Sequence, residues 1–294
     1  MTPQRSVVQA GAFVAGNTGS RFRLVSEPAD GRTRGTVVFV HGFAEEMNKS
    51  RRMAARMARL LAADGWRVVQ RDLCGCGDSS GEFADASWQA WIDDVDAELA
   101  LADAARPVWL WCLRAGALLV PPVIAHRNHV NLLLWQPVLS GAQHLQQFLR
   151  LNAGARITGS GKGSAETPPA QALRAGNAVE VGGYQLSPAL ATGLEQASFS
   201  LPEHFAGRVA WFELSADDAA GLSPATQRAV ERLESNGRVV APRALRGPPF
   251  WQTQEIEECE ALLAQSLAAL RDGAAQNATT ATTPALETPE VRHG

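Results

Sequence analysis

The strongest constraint on this chain is a repeated alternation of short apolar runs with longer helical patterns. Residues 35–41 (GTVVFVH) form an uninterrupted β-branched run, the mark of a strand covered on both faces. Residues 48–64 repeat apolar and alanine positions at helical spacing, and Gly65 is a C-terminal stop. Residues 66–72 read as the next strand. Residues 86–105 read as a helix with Trp88, Trp91, Ile92, Val95 and Leu99 along one stripe. A strand at 108–113, a helix at 115–125 that ends at Pro121-Pro122, and a strand at 130–136 follow. This order predicts an α/β fold, a mostly parallel sheet with helices on both faces. Such sheets place their chemistry at the carboxyl ends of the strands.

Before this stretch, residues 7–14 and 20–26 read as a strand pair joined by Gly16-Asn17-Thr18-Gly19. After it, residues 140–201 break the rhythm and contain Gly161-Lys162-Gly163-Ser164 and Thr167-Pro168-Pro169. That segment is expected to be an inserted cap with an irregular centre. The lysine stretch lacks the full pattern of a phosphate-binding loop. Strands at 208–214 and 237–241 and helices at 223–234 and 254–271 then resume the alternation. The expected organisation is a core in two parts, 1–139 and 202–271, a cap at 140–201, and a disordered tail at 272–294 rich in Ala, Thr, Asn and Pro. No internal repeat is visible.

Composition narrows the classes. With 46% hydrophobic residues over 294, a sizeable core is available and a wholly disordered chain is excluded. A net charge of -3 implies no nucleic-acid or other polyanion surface. Four cysteines in this length exclude a small disulfide scaffold. No basic start leads into a signal core, and no apolar run approaches the ~18 residues of a spanning helix. A soluble cytoplasmic protein with reduced thiols is expected, and no feature sets an oligomeric state.

Three motifs follow the predicted strands. The first is Val40-His41-Gly42-Phe43. The second is Asp72-Leu73-Cys74-Gly75-Cys76-Gly77-Asp78-Ser79. The third is Leu110-Trp111-Cys112-Leu113-Arg114-Ala115-Gly116, which leads into a helix. Together they resemble the α/β-hydrolase superfamily over roughly 31–136, and more loosely over 208–271. The resemblance implies a cap insertion on the α/β-hydrolase fold. It also implies an oxyanion-hole amide after His41-Gly42, at Phe43, and a strand–turn–helix elbow, G-x-S-x-G, that presents the nucleophile.

Within the superfamily, the string Phe43-Ala44-Glu45-Glu46-Met47-Asn48-Lys49-Ser50-Arg51-Arg52 is similar to the exosortase A system-associated hydrolase 2 group. So are Gly75-Cys76-Gly77-Asp78-Ser79, Leu113-Arg114-Ala115-Gly116-Ala117, Trp135-Gln136-Pro137-Val138 and Gly247-Pro248-Pro249-Phe250-Trp251. That resemblance implies a bacterial protein associated with exopolysaccharide and PEP-CTERM sorting gene clusters.

The departures from the hydrolase pattern carry the functional argument. Cys112 stands at the first elbow glycine and Arg114 at the nucleophile position. A guanidinium stays protonated and has no lone pair to offer, so it cannot attack a carbonyl. No Ser or Thr lies between Val108 and Ala125 to take its place. Glu213, Asp217 and Asp218 are available where the acid belongs, with Asp217 or Asp218 the better match. Residues 246–252, where the base belongs, contain no histidine, and the only histidine beyond His204 is His293. Ordinary Ser-His-Asp acyl transfer is therefore not expected.

Arg114, at a helix N-terminus, needs a partner, for which Glu45, Glu46, Asp217 and Asp218 are candidates. Two readings follow. Arg114 and the amides of Phe43 and Ala115 form an anion pocket, or an ion pair closes a dead site. The expected function is the binding or conversion of an acyl ester or thioester, as a small molecule or an acyl- or carbohydrate-linked substrate. Arg114, Asp217 and Asp218 would stand at the catalytic positions, and His41, Gly42, Phe43, Ala115, Glu45 and Glu46 would form the oxyanion and binding set. The alternative is an inactive pseudo-hydrolase serving as an anion-binding or scaffold protein. No cofactor and no metal is expected. Cys74 and Cys76 read as small packing residues, with a surrogate-nucleophile role as the lesser option. Lys49-Ser50-Arg51-Arg52 reads as a solvated first turn that could also hold an anionic substrate. His144 is the histidine best placed for chemistry, beside Ser140, though a position on the cap surface is the plainer reading.

Overall fold

A computed structural model describes residues 5–158, 167–216 and 221–280. The initial strand pair is β1 (Val7–Ala15) and β2 (Ser20–Pro28), antiparallel to each other. The chain then builds β3 (Thr36–Val40), α1 (Glu45–Ala63), β4 (Arg67–Arg71), α2 (Trp88–Ala100) and β5 (Val108–Leu113). It continues through α3 (Val120–Ile124), β6 (Val130–Trp135) and α4 (Gly141–Thr158). A short helix α5 (Pro169–Arg174), a hairpin of β7 (Val179–Val181) and β8 (Tyr184–Leu186), and α6 (Pro188–Gln196) follow. The last elements are β9 (Arg208–Ser215), α7 (Pro224–Ser235), β10 (Val239–Arg246) and α8 (Glu260–Thr280).

Eight strands form one sheet in the order β1-β2-β4-β3-β5-β6-β9-β10. β2 runs antiparallel to β4, and every pairing from β4 through β10 is parallel. The order reverses around β3, so the carboxyl ends of β3 and β5 open onto one crevice. The period of two along each strand divides the core. Val38, Val40, Leu110 and Cys112 join α2 and the helices after β6 on one face. Val37, Phe39, Trp109, Trp111 and Leu113 join α1 and α8 on the other. Buried Trp135 crosses to α8 and donates its indole N–H to Ser266 Oγ at 2.8 Å.

Several expected boundaries shift for physical reasons. The two prolines do not end the helix after β5. A 3-10 turn spans Arg114–Leu119, and Pro121 and Pro122 sit in the first turn of α3. There their missing N–H groups would have had no helical partner anyway. The segment after β6 is more regular than expected. α4 alone runs 18 residues, buries Leu145 and Phe148, and packs on α6. The Lys162 stretch lies outside the described residues. β10 extends to Arg246 through Pro242, which an edge strand tolerates because one side of its backbone needs no partner. α8 begins at Glu260 and continues to Thr280, past the expected end at residue 271. Among the described residues no helix is long and apolar enough to cross a membrane.

One buried charge network was not foreseen. Asp94, on α2, accepts from Arg21 Nε at 2.8 and 3.0 Å, from Arg71 Nη2 at 3.2 Å and from the Cys74 N–H at 2.8 Å. Glu98, one helical turn on, accepts from Arg71 Nη1 at 2.9 Å and from Arg23 Nη1 at 3.4 Å. The network ties β2, β4 and the turn after β4 to α2.

Candidate functional site

The turn after β4 shows how the local sequence shapes the crevice. Asp72 accepts from the Asp78 N–H at 3.0 Å and pairs with Arg51 at 3.2 Å. Gly77 has a φ of 54°, and a Cβ there would lie 2.0 Å from Asp72 Oδ2, so a side chain cannot enter. Asp72 therefore holds the glycine turn.

Arg114 lies in the sharp bend between β5 and the 3-10 turn, with a φ of 52°. A non-glycine residue in this left-handed region costs free energy and persists only where the surroundings enforce it. The enforcement is visible at Gly116. A Cβ there would lie 2.8 Å from the Val40 carbonyl and 2.9 Å from the His41 carbonyl. The bend is thus pressed against the end of β3.

The guanidinium projects into a cavity of about 310 Å³ lined by Phe43, Glu45, Glu46, Lys49, His144, Phe148 and Trp251 among others. Arg114 Nε donates to Glu46 Oε1 at 3.0 Å, and each side chain is 17% exposed. Its guanidinium carbon lies 5.3 Å from the Trp251 ring centroid, within cation–π range. Among the described residues Glu46, rather than Glu45, is the acid that meets Arg114. Glu46 Oε2 is buried and has no hydrogen-bond partner among the described residues.

Glu45 faces a different group. Its Oε2 accepts from Tyr184 Oη at 2.9 Å and from Asn48 Nδ2 at 3.1 Å. Because Tyr184 belongs to β8, this contact binds the segment after β6 to α1. Burial and Glu45 together push the Tyr184 phenol up, which keeps it a donor at neutral pH.

His41 does not line this cavity. Its Nδ1 lies 2.8 Å from the Gly42 carbonyl oxygen, and the Leu73 N–H donates to its Nε2 at 3.4 Å. The first contact requires a proton on Nδ1, leaving Nε2 the acceptor. Gly42 and Ala115 also stay off the lining. A Cβ on Gly42 would press to 2.9 Å of Glu46 Cβ, so its absence lets Glu46 sit where it does. Ala115 is buried behind the bend. Phe43 does line the cavity, packing edge-on to Phe148, Trp91 and His144.

The basic cluster on α1 divides. Arg51 pairs with Asp72, and Arg52 and Arg56 pair with Glu258. Lys49 alone reaches the cavity, and its Nζ donates to the Gln254 carbonyl at 2.9 Å. Glu213 accepts from the Ser223 N–H at 3.0 Å and so anchors the start of α7. Asp217 and Asp218 lie outside the described residues. Burial raises the Cys112 and Cys76 thiols far above their ordinary value, so both stay protonated and are poor nucleophiles.

His144 is the residue whose plainer sequence reading fails. It sits in the first turn of α4, is 7% exposed, and lines the cavity beside Glu46 and Arg114. Neither ring nitrogen has a hydrogen-bond partner among the described residues. The available signal was the Leu145, Phe148, Leu149 spacing, which marks a helix with an apolar face and His144 next to it. Ser140, its suggested companion, instead accepts from the Gln143 N–H at 3.3 Å as a cap.

Burial lowers the proton affinity of both His41 and His144. In the unfolded chain each returns to an ordinary value near ~6.5. Below that pH the unfolded chain takes up protons that the folded state refuses, so stability falls as pH drops and is level above it. The urea midpoint is expected to be lower at about pH 5.5 than at about 7.5, and His144→Asn should shrink the difference. An unchanged slope in the variant would place the effect elsewhere.

The family model described as serine aminopeptidase, S33, matches residues 31–161. No curated protein matches the sequence. Among solved structures, Est1E from Butyrivibrio proteoclasticus with ferulic acid bound is 14% identical. That match covers 90% of this chain and 99% of that one, with a TM-score of 0.59. A soluble variant of the monoglyceride lipase of Saccharomyces cerevisiae, in complex with a substrate analogue, is 12% identical over 90% and 94% of the two chains, with a TM-score of 0.58. The thioesterase domain from the curacin biosynthetic pathway is 14% identical over 92% and 99%, with a TM-score of 0.50. The sheet order, the bend after β5 and these likenesses together establish that the chain has the α/β-hydrolase fold.

Proposed function

We propose that this chain is an exosortase-associated α/β-hydrolase-fold protein whose cavity receives the acyl carbonyl of an ester or thioester, free or carbohydrate-linked. No covalent acyl-enzyme forms at position 114. The observation that carries the reading is Arg114 in the strained bend, held by Glu46 at 3.0 Å inside a cavity with apolar walls. A guanidinium there can polarise a carbonyl oxygen or hold a carboxylate product, but cannot attack. Phe43, Phe148 and Trp251 offer the acyl chain an apolar surface. Residues 140–201 act as the cap in this reading, supplying His144, Gln147, Phe148 and Leu151. The cytoplasm is the proposed location. Bound partners named for the structural neighbours, ferulic acid and a lipase substrate analogue, agree with an acyl-type guest.

A second reading rests on the same ion pair. Because Glu46 already neutralises Arg114, a protein that only binds or scaffolds would look alike at this point. A panel of short- and long-chain p-nitrophenyl esters and acyl thioesters separates the two. Turnover above the buffer rate supports conversion. Buffer-rate hydrolysis together with saturable binding of the uncleaved esters supports the binding protein. Absence of both removes the acyl-ligand reading.

The pair itself has a stability consequence. Arg114→Ala leaves Glu46 mostly buried and unpaired, and should cost about 1–3 kcal/mol in urea unfolding. Arg114→Met combined with Glu46→Leu removes both charges and should recover most of that loss. If the double variant is as unstable as the single one, packing rather than the orphaned charge explains the cost.

A further inference from the structure

The cavity holds one group that no part of the hydrolase resemblance accounts for. His144 comes from the segment after β6, not from the region after the last strand, where the superfamily's histidine belongs. Among the described residues its two ring nitrogens are buried without hydrogen-bond partners, and so is Glu46 Oε2 in the same cavity. Each such group costs about 1–3 kcal/mol when left unpaired, so a guest that pairs with them is favoured. A neutral imidazole in this state offers one N–H and one free lone pair.

We propose that His144 is the general base of this cavity, taking a proton from a water that attacks the carbonyl carbon of the bound ester. The inference rests on the acyl-ligand reading above. The step balances without any co-reactant. The water O–H proton passes to the imidazole nitrogen as the water oxygen bonds to the carbonyl carbon. The carbonyl π electrons move onto its oxygen, beside the Arg114 guanidinium. The tetrahedral species then collapses, the bond to the leaving oxygen breaks, and the imidazolium returns the proton to that oxygen. The products are a carboxylic acid and an alcohol, and the imidazole is regenerated.

The surroundings keep His144 in the basic form. Burial is the largest influence and disfavours its protonation; Glu46 opposes burial in part, and Arg114 adds a smaller effect in the same direction as burial. The N-terminal turn of α4 adds backbone N–H dipoles that also disfavour a cation. Among the described residues, Glu45 and Lys49 on α1 are the other charged groups on the cavity lining, and both have partners of their own. Edge-on packing against Phe43, at 5.7 Å between ring centroids, sets the imidazole plane.

The test uses p-nitrophenyl acetate with the full chain, its His144→Gln variant and its His144→Ala variant, across pH and in H2O and D2O. His144→Gln is expected to lower kcat by about 100-fold with KM little changed. The wild-type rate should rise with pH to a plateau, with its midpoint below the ordinary histidine value, and should slow in D2O. A His144→Gln enzyme with wild-type kcat, a wild-type rate equal to buffer, or no solvent isotope effect would each overturn the assignment. Melting temperatures check that the variants fold, and since the His144 ring makes no hydrogen bond among the described residues, glutamine should be tolerated. Calorimetry with 4-nitrophenylacetone, the ketone isostere of the ester, separates the two levels of the argument. Binding without His144-dependent turnover sinks this inference and leaves the acyl-ligand reading standing. Absence of binding sinks both.

Discussion

Asp94→Ala is expected to destabilise the folded chain by about 3–5 kcal/mol, the range for removing one partner from a buried ionic group. Asp94 is 3% exposed and Arg21 is 1% exposed, so neither can recruit bulk water when its partner is removed. The substitution would leave the buried Arg21 charge with neutral acceptors at Thr18 and Ser20 in place of a carboxylate, leave Arg71 with Glu98, and take the acceptor from the Cys74 N–H. Arg71 Nε already lacks a partner among the described residues, so the network has no spare acceptor there. Asp94→Asn keeps the shape and some hydrogen bonds, and should fall between the wild type and the alanine variant. The neighbouring Asp93 provides the control. It is paired with Asn17 and Gln89 at the exposed surface, and Asp93→Ala should cost under about 0.5 kcal/mol. Urea unfolding of all three measures the contrast. Equal midpoints for Asp94→Ala and Asp93→Ala would show that the buried network contributes nothing net.

The second large effect concerns a position with no polar side chain. Gly141 opens α4, and its N–H donates to the Ala197 carbonyl at 2.9 Å. A Cβ at Gly141 would lie 1.7 Å from the Leu194 carbonyl oxygen and 2.9 Å from that of Ala197. Both obstacles are backbone atoms at the end of α6, so neither can rotate aside. Gly141→Ala must therefore push α4 and α6 apart, at about 1–3 kcal/mol. The functional loss should be larger than the stability loss. His144 lies three residues on, in the displaced turn, and an ångström of misplacement at a reacting group costs about 100-fold. The expected result is a folded protein with a lowered melting temperature and p-nitrophenyl acetate turnover reduced as far as in His144→Gln. Turnover that survives Gly141→Ala while His144→Gln abolishes it would show that the α4 start does not set the imidazole position.

These two sites also mark where sequence reasoning succeeded and where it stopped. The strands of the main sheet were legible, because β-branched runs bounded by turn residues are a local signal. The bend at Arg114 was expected from the resemblance to the α/β-hydrolase elbow, with Leu113-Arg114-Ala115-Gly116 directly after a strand. α2 was recognised as a helix, yet Asp94 and Glu98 share its buried side with Trp91 and Val95. Acids at apolar-stripe positions call for buried cations, and the arginines of β2 and β4 supply them. No local pattern in the strands marks those arginines as buried, because their burial depends on how α2 packs across β2 and β4. α4 was missed because glycine and proline further along the segment outweighed its own helical spacing. The prolines before Val123 misled for the opposite reason. Proline stops a helix from within but opens one from its first turn, and only the path of the chain distinguishes these cases.

What the sequence determined alone is the chemistry of each position. Arg114 has no lone pair wherever it sits, and residues 246–252 contain no histidine. The tertiary structure decided which groups meet. Glu46, 68 positions from Arg114, became its partner in place of Glu45, which turned to Tyr184. His144 moved from an expected surface position into the cavity. Local backbone preference depends on near neighbours in the chain and can be read there. The pairing of a charge or the burial of an imidazole depends on how separate elements pack, and close packing admits only the arrangement that the whole fold allows.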